Sequence, residues 1–579
     1  MPTLSTGRRL LTYIAPHKYE FGVGILAFFL AAAVEPAIPA LLKELLDKGF
    51  KTTHGIPPWL LPAVVVGLFA GRGLLTFCGV YLFGTSTSKA VLSLRTDMLG
   101  SVIRADASLY NSLSPGVAAA RVINDPQNIV SALGGAFLTI LRDGTTLVAM
   151  LGYLLYLNWK LTLITFLTAP LLAFVVKKVQ KRVQFLGMQS YESQNKLIGI
   201  VDDVTRAWRV VRTFDAGEFE KNRFHTEAQK YRRTQVKNIA ASASMTPLTQ
   251  MVASLGVALI MSLALIEANK GNATVGDFVA FITAMLLTIS PMRHLTDVTQ
   301  PIVNGLIGAG ACFDLIDTPP EPDHGTQDLN GKAEGGDLVF DNVTIQYPGT
   351  EARALNDISL NIPKGKTVAL VGPSGSGKTT AISTLLGFVA PVSGRVTLDG
   401  IDIQDIHKAA LRKQFAVVSQ DIVLFDGSIA DNVAYVQPKD DQRIEQCLRA
   451  ANLWEFIERQ PDGIETSIGT NGSKLSGGQR QRLAIARALY KEAGIWVFDE
   501  ATSALDTESE RVVQQSIDQW HGEKTLILIA HRLSTIKNAD TIFVLVDGNV
   551  FEYGNHQELM ALCGIYAKMI NTQNVSQSC

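Results

Sequence analysis

Apolar positions are unevenly distributed along this chain. In its first half they gather into six long segments, near 21–42, 60–83, 133–157, 161–176, 247–266 and 275–292. Most of these are close to the roughly 20 residues that a helix needs to cross a bilayer, so six membrane-spanning helices are predicted. The first segment follows Arg8 and Arg9 and passes three alanines at 31–33, as a secretory signal would. It continues through IPALL, however, and five more spans follow, so a retained signal-anchor is expected. After residue 312 the pattern changes. DTPPEPDHGTQDLNGKAEGG (317–336) is rich in Pro, Gly and acids and reads as a linker. Beyond it, short strand-like runs such as KTVALVG and IWVFDE alternate with helical stretches such as GQRQRLAIARALY, an α/β pattern. The predicted architecture is a membrane all-α six-helix domain over 1–316, a linker over 317–336 and an α/β domain over 337–579.

Composition sharpens this. A chain of 579 residues that is 47% hydrophobic and 18% charged, with mean hydropathy +0.18, is too apolar for an ordinary soluble enzyme. A net charge of −1 lacks the basic excess of a nucleic-acid binder. The five cysteines, Cys78, Cys312, Cys447, Cys563 and Cys579, have no CxxC spacing and predict neither a zinc site nor a disulfide framework. Lys and Arg concentrate at the N-terminus and in segments 84–130 and 177–240, while the links at 158–160 and 267–274 carry one Lys each. The positive-inside rule then places both termini and the α/β domain in the cytoplasm.

The second half carries phosphate chemistry. VALVGPSGSGKTT (368–380) contains GxxxxGK[ST] directly after an apolar run. In such a loop the backbone around Gly372, Ser374, Gly375, Ser376 and Gly377 closes on phosphates, and the helix beginning near Lys378, Thr379 and Thr380 adds its positive dipole. Lys378 would reach the β/γ-phosphates and Thr379 would ligate Mg²⁺. In IWVFDE, Asp499 at the end of a buried strand can present a carboxylate to the Mg²⁺ shell through water, and Glu500 can polarise the attacking water. LSGGQ at 475–479 sets Ser476, Gly477, Gly478 and Gln479 at a predicted helix start, another place to hold phosphate.

Together these motifs resemble the nucleotide-binding domain of ABC transporters over about 337–575. The resemblance implies that Gln420, in VVSQD, is the Q-loop glutamine at Mg²⁺ and water. It makes His531, in IAHRLS, the switch histidine, Asp506, in SALD, the D-loop aspartate, and Tyr347, in IQYPG, the aromatic that stacks on adenine. It also implies that ATP lies between the phosphate loop of one domain and the LSGGQ of another. With one of each and six spans, the chain would work as a homodimer or beside a related half-transporter. Six spans ahead of the ATPase domain resemble the exporter type, with 111–126 and 201–218 in the positions of its coupling loops.

Charges inside the spans bear on the cargo. VVVGLFAGRGLLTF (64–77) is apolar except for Arg72, Glu35 lies in the first span, Arg142 and Asp143 in the third, and Arg293 and His294 at the end of the sixth. A central arginine costs roughly 2.5–3.5 kcal/mol on insertion scales, so it is expected to face protein, water or ligand. Asp143 is expected to neutralise Arg142 poorly, because adjacent helical positions point about 100° apart. Two readings remain open: an ion pair of Arg72 with Glu35 or Asp143, with Arg142 and Arg293 facing the cytoplasm, or a clamp of Arg72, Arg142 and Arg293 for phosphate or carboxylate, suited to the planar, permanently charged guanidinium. RRLLTYIAPHK, LLDKGF, VVVGLFAGRG, LTILRDG and SPMRHLTDV resemble the bacterial lipid A flippases within the ABC family, with arginine at 293 where lysine is the family's residue. That resemblance implies a lipid A substrate whose glucosamine phosphates meet these arginines. The alternatives are a multidrug, phospholipid or peptide exporter, and an ATP-gated channel.

Overall fold

A computed structural model describes residues 3–46, 59–160, 162, 169–269, 275–329, 335–347, 349–499, 520, 522–529 and 536–577. Two compact units divide at 321/322. Residues 161 and 163–168 of the predicted span 161–176 lie outside the described residues, as do Glu500, Asp506 and His531, and the rest of that span from 169 onward opens the helix Ala169–Arg206.

The first unit is helical. Four continuous stretches among the described residues are long and apolar enough to cross a membrane: Thr6–Glu44, Pro62–Arg104, Pro115–Leu157 and Val279–Ile316. A further helix, Met245–Asn269, covers the apolar segment 247–266. The helix Leu60–Arg104 has 45 residues. At about 1.5 Å per residue it is far longer than a hydrocarbon core of about 30 Å, so apolar and polar stretches belong to one rod. Its outward face in the first turns is lipid-like, with Val64, Val66, Phe69 and Leu74 exposed.

Contact between spans uses small residues, as expected where lipid offers no hydrophobic drive for helix association. A Cβ on Gly79 would lie 2.7 Å from the Phe28 ring, which is fully buried. The N-terminal span breaks at Pro36 into Lys18–Val34 and Ala37–Glu44, since proline cannot donate the next helical hydrogen bond. Glu35 sits at that break. Between Pro115–Ile129 and Gly135–Leu157 the chain widens into a π-helical segment, Val130–Gly134, one turn beyond Pro126.

The second unit has two sheets. Strands β1 (Leu338–Gln346), β2 (Arg353–Ile362), β4 (Ser393–Leu398) and β5 (Ile401–Asp402) form an antiparallel sheet in the order β2-β1-β4-β5. Strands β3 (Thr367–Val371), β6 (Phe415–Val418), β7 (Ile495–Asp499), β8 (Thr525–Ile529), β9 (Thr541–Val546) and β10 (Asn549–Gly554) form the second, ordered β10-β9-β3-β8-β7-β6. It is parallel except for β10. Every residue of β3 and β8 is buried, the continuous apolar reading expected of strands covered on both faces.

Ser428 and Asp431 cap the helix Ile429–Ala434 reciprocally. The Lys439 ammonium, 2.9 Å away, with the Ser428 N–H and hydroxyl, pulls the Asp431 carboxyl down to about 2. A depressed folded pKa contributes stability that is present above the unfolded value near 4 and lost as pH falls through 2. Asp431→Asn is therefore expected to lower the thermal unfolding midpoint of the full chain at pH 7. Measured from pH 4 downward, its difference from wild type should shrink.

Candidate functional site

Strand register brings the motif ends to one edge of the parallel sheet. Leu370 of β3 and Asp499 of β7 both pair with Ile529 of β8, so Asp499 stands two strand spacings, about 10 Å, from the base of the phosphate loop. Val418 pairs with Phe498, which sets Gln420 just beyond the same edge. Ligands of open α/β sheets bind outside these carboxyl ends.

The loop from Gly372 to Gly377 follows β3 and opens the helix Lys378–Leu385. Lys378 is 6% exposed, its ammonium donating to the carbonyls of Gly372 and Pro373 at 2.9 Å each. At Gly375 φ is +81° and a Cβ would meet nothing within 4 Å, so the space beside this glycine is open. Gly377, at φ +101°, is the opposite case: a Cβ there would meet the Ala354 carbonyl oxygen and Leu355 Cδ2 at 2.6 Å. One glycine borders open space; the other lets the loop seat on β2. Tyr347 stands beside this helix start, its hydroxyl 3.4 Å from Thr380 Oγ1, with the ring partly exposed. Ser374 and Thr379 are also exposed, whereas Ser376 is buried.

At LSGGQ the helix Gly477–Tyr490 begins with a capping box. The Ser476 hydroxyl accepts from the Gln479 N–H at 3.2 Å, and the Gln479 side-chain oxygen accepts from the Ser476 N–H at 2.8 Å. Ser476 and Gln479 thus fix the shape of the turn that presents the two glycines. Arg487, on the same helix, escapes a motif search. It donates to the carbonyls of Asn432 and Val423 at 2.8 and 2.9 Å and to Asn432 Oδ1 at 2.8 Å, tying this helix to the segment after Gln420. Burial pulls its pKa down.

In the membrane unit, Arg72 pairs with Glu35 at 2.9 Å. The Asp143 charge is within electrostatic range of Glu35, so the pairs form one cluster. The expectation that Asp143 is a poor partner for Arg142 is overturned. Arg142 Nε and Nη2 donate to the two Asp143 oxygens at 2.8 and 3.0 Å. The divergence of adjacent positions applies to Cβ directions, and a guanidinium on a long flexible stem bends across it. Asp143 is also 2.9 Å from His294 Nδ1, joining helix Gly135–Leu157 to Val275–Asp297. Arg293 is exposed and has no acidic partner within 4 Å among the described residues. Arg72, Arg142 and Arg293 therefore outnumber Glu35 and Asp143 by one positive charge.

Comparison with known proteins decides the family. Residues 21–292 match the ABC transporter transmembrane region and residues 355–503 match the ABC transporter family. The chain belongs to the ABC transporter family. Proteins named ATP-dependent lipid A-core flippase from Albidiferax ferrireducens and Burkholderia pseudomallei are 41% and 42% identical. The alignments cover 98% of this chain and 97% and 95% of theirs. A bacterial Atm1-family ABC exporter solved with ATP bound is 27% identical with TM-score 0.85, over 96% of this chain and 98% of that one. This ABC protein is thus a helical membrane domain followed by an α/β ATPase domain.

Its phosphate loop yields a direct test. Gly377→Ala combines a left-handed backbone with two close contacts and is expected to cost about 1–3 kcal/mol, lowering the unfolding midpoint without nucleotide. Gly375→Ala shares the left-handed strain but adds no such contacts, so it should lower the midpoint less than Gly377→Ala.

Proposed function

We propose that two copies of this chain form a homodimeric exporter in a bacterial inner membrane, with both termini and the ATPase domain on the cytoplasmic side. It moves lipid A with its core sugars from the inner to the outer leaflet. The observation that carries this reading is that Glu35 pairs with Arg72 and Asp143 with Arg142, while Arg293 has no acidic partner within 4 Å among the described residues. An uncompensated guanidinium in apolar surroundings favours an anionic ligand, and its planar fork suits phosphate. Exposed Phe69, Leu74 and Phe77 flank Arg72 along its helix, an apolar setting suited to acyl chains. The names of the relatives point to the same cargo.

On the ATPase side, phosphates are held by the backbone around Gly372, Ser374, Gly375, Ser376 and Gly377, by Lys378 and Thr380, and by Ser476, Gly477, Gly478 and Gln479 of the partner copy. Tyr347 stacks on adenine. The oxygen donors Thr379, Gln420 and, through water, Asp499 fit the hard, sparse ligand set of Mg²⁺, which neutralises charge on the phosphates when bound. Glu500 polarises the attacking water, His531 contacts the γ-phosphate and Asp506 joins the two halves of the site.

In nanodiscs, lipid A is expected to stimulate Mg-ATPase activity in wild type and to lose that effect in Arg72→Ala/Arg293→Ala, while basal turnover continues. Glu500→Gln should abolish both. Equal stimulation of the arginine variant would remove the clamp. Because Glu35 competes for Arg72, Glu35→Gln should lower the half-stimulating lipid A concentration roughly three- to tenfold, about 1 kcal/mol.

A further inference from the structure

Arg142 carries a long, flexible stem, so its use in a clamp depends on what orients it. Asp143 does so directly. Arg142 donates from Nε to Asp143 Oδ1 at 2.8 Å and from Nη2 to Oδ2 at 3.0 Å. That edge of the guanidinium is occupied. Its Nη1 amine is not buried and has no hydrogen bond among the described residues. The opposite edge of the planar fork is therefore left for an oxyanion.

Asp143 is itself held from a second helix. It is 6% exposed, and its Oδ2 lies 2.9 Å from Nδ1 of His294 on Val275–Asp297. An imidazole with its proton on Nδ1 donates here in either charge state. The anchor is firm, because Met150 and Leu154 of Gly135–Leu157 pack on Phe281, Ala284 and Met285 of the His294 helix. One helix holds the carboxylate and the carboxylate holds the guanidinium, so the Arg142 fork is set before a ligand arrives. A side chain ordered in advance loses less freedom on binding.

We propose that, in the phosphate clamp on which this rests, His294 is a positioning residue. It orients Arg142 toward a lipid phosphate through Asp143 and does not touch the lipid itself.

The test is Mg-ATPase activity of the full chain in nanodiscs, titrated with lipid A. His294→Ala should raise the half-stimulating concentration roughly three- to tenfold, the size expected when one more side chain must be ordered on binding. The maximal stimulated rate should change little. His294→Asn, which keeps a donor near the Nδ1 position, should restore most of the lost affinity. In an Arg142→Ala background, His294→Ala should cause no further shift, because the residue it orients is gone. His294→Leu, similar in bulk and without a donor, provides a second reading if His294→Ala loses helix content by circular dichroism. An unshifted half-stimulating concentration in the folded variants, or an equal shift with and without Arg142, would overturn the proposal and leave the clamp standing. Wild type that does not respond to lipid A would remove the clamp and this role of His294 together.

Discussion

The membrane half of this protein depends on how a permanent positive charge is kept in an apolar helix. Arg72 is held by Glu35 at 2.9 Å, and Glu35 stands where Pro36 interrupts the first span. A proline break leaves backbone groups unpaired and lets the chain change direction, so the acid can be presented sideways to a neighbouring helix. Asp143, inside the unbroken helix Gly135–Leu157, takes both Arg142 and His294 without any such break. These acids orient Arg72 and Arg142, while Arg293 has no acidic partner within 4 Å among the described residues. In the proposed clamp, further acids would compete with phosphate for the arginines, and fewer would make the helices costlier to insert.

The soluble half solves another electrostatic problem, that of gathering dipoles and oxygen donors around a polyphosphate. Parallel strands do this through register. Because β3, β8 and β7 pair in step, the phosphate loop and Asp499 emerge at the same level, and the buried strands hold that edge rigid. Gly377 lets the loop seat against Ala354 and Leu355, while Arg487 anchors the LSGGQ helix to the segment after Gln420 through three hydrogen bonds. In the proposed function both sites bind phosphate, by guanidinium side chains in one and by backbone amides with a lysine in the other.

Much of this is legible in the sequence because its chemistry is local. The loop 372–380 needs its glycines and lysine at fixed offsets, and β3, β7 and β8 are continuous apolar runs. Pairings across the fold are not local. Asp143 and His294 are 151 positions apart and meet only because two helices pack. The bidentate Arg142–Asp143 contact follows from side-chain reach, which the angular rule for neighbouring positions omits. Ser476 and Gln479 fit the S-x-x-Q capping pattern, but beside two glycines the same letters also read as a phosphate loop.

The central claim is that ATP hydrolysis moves a lipid recognised by its phosphates. The most direct measurement is transbilayer movement of labelled lipid A in proteoliposomes, comparing the bis-phosphorylated lipid with its enzymatically dephosphorylated form. The account predicts MgATP-dependent movement of the phosphorylated lipid and a large loss of rate for the dephosphorylated one. Equal rates for the two lipids, or movement that proceeds without ATP, would contradict it.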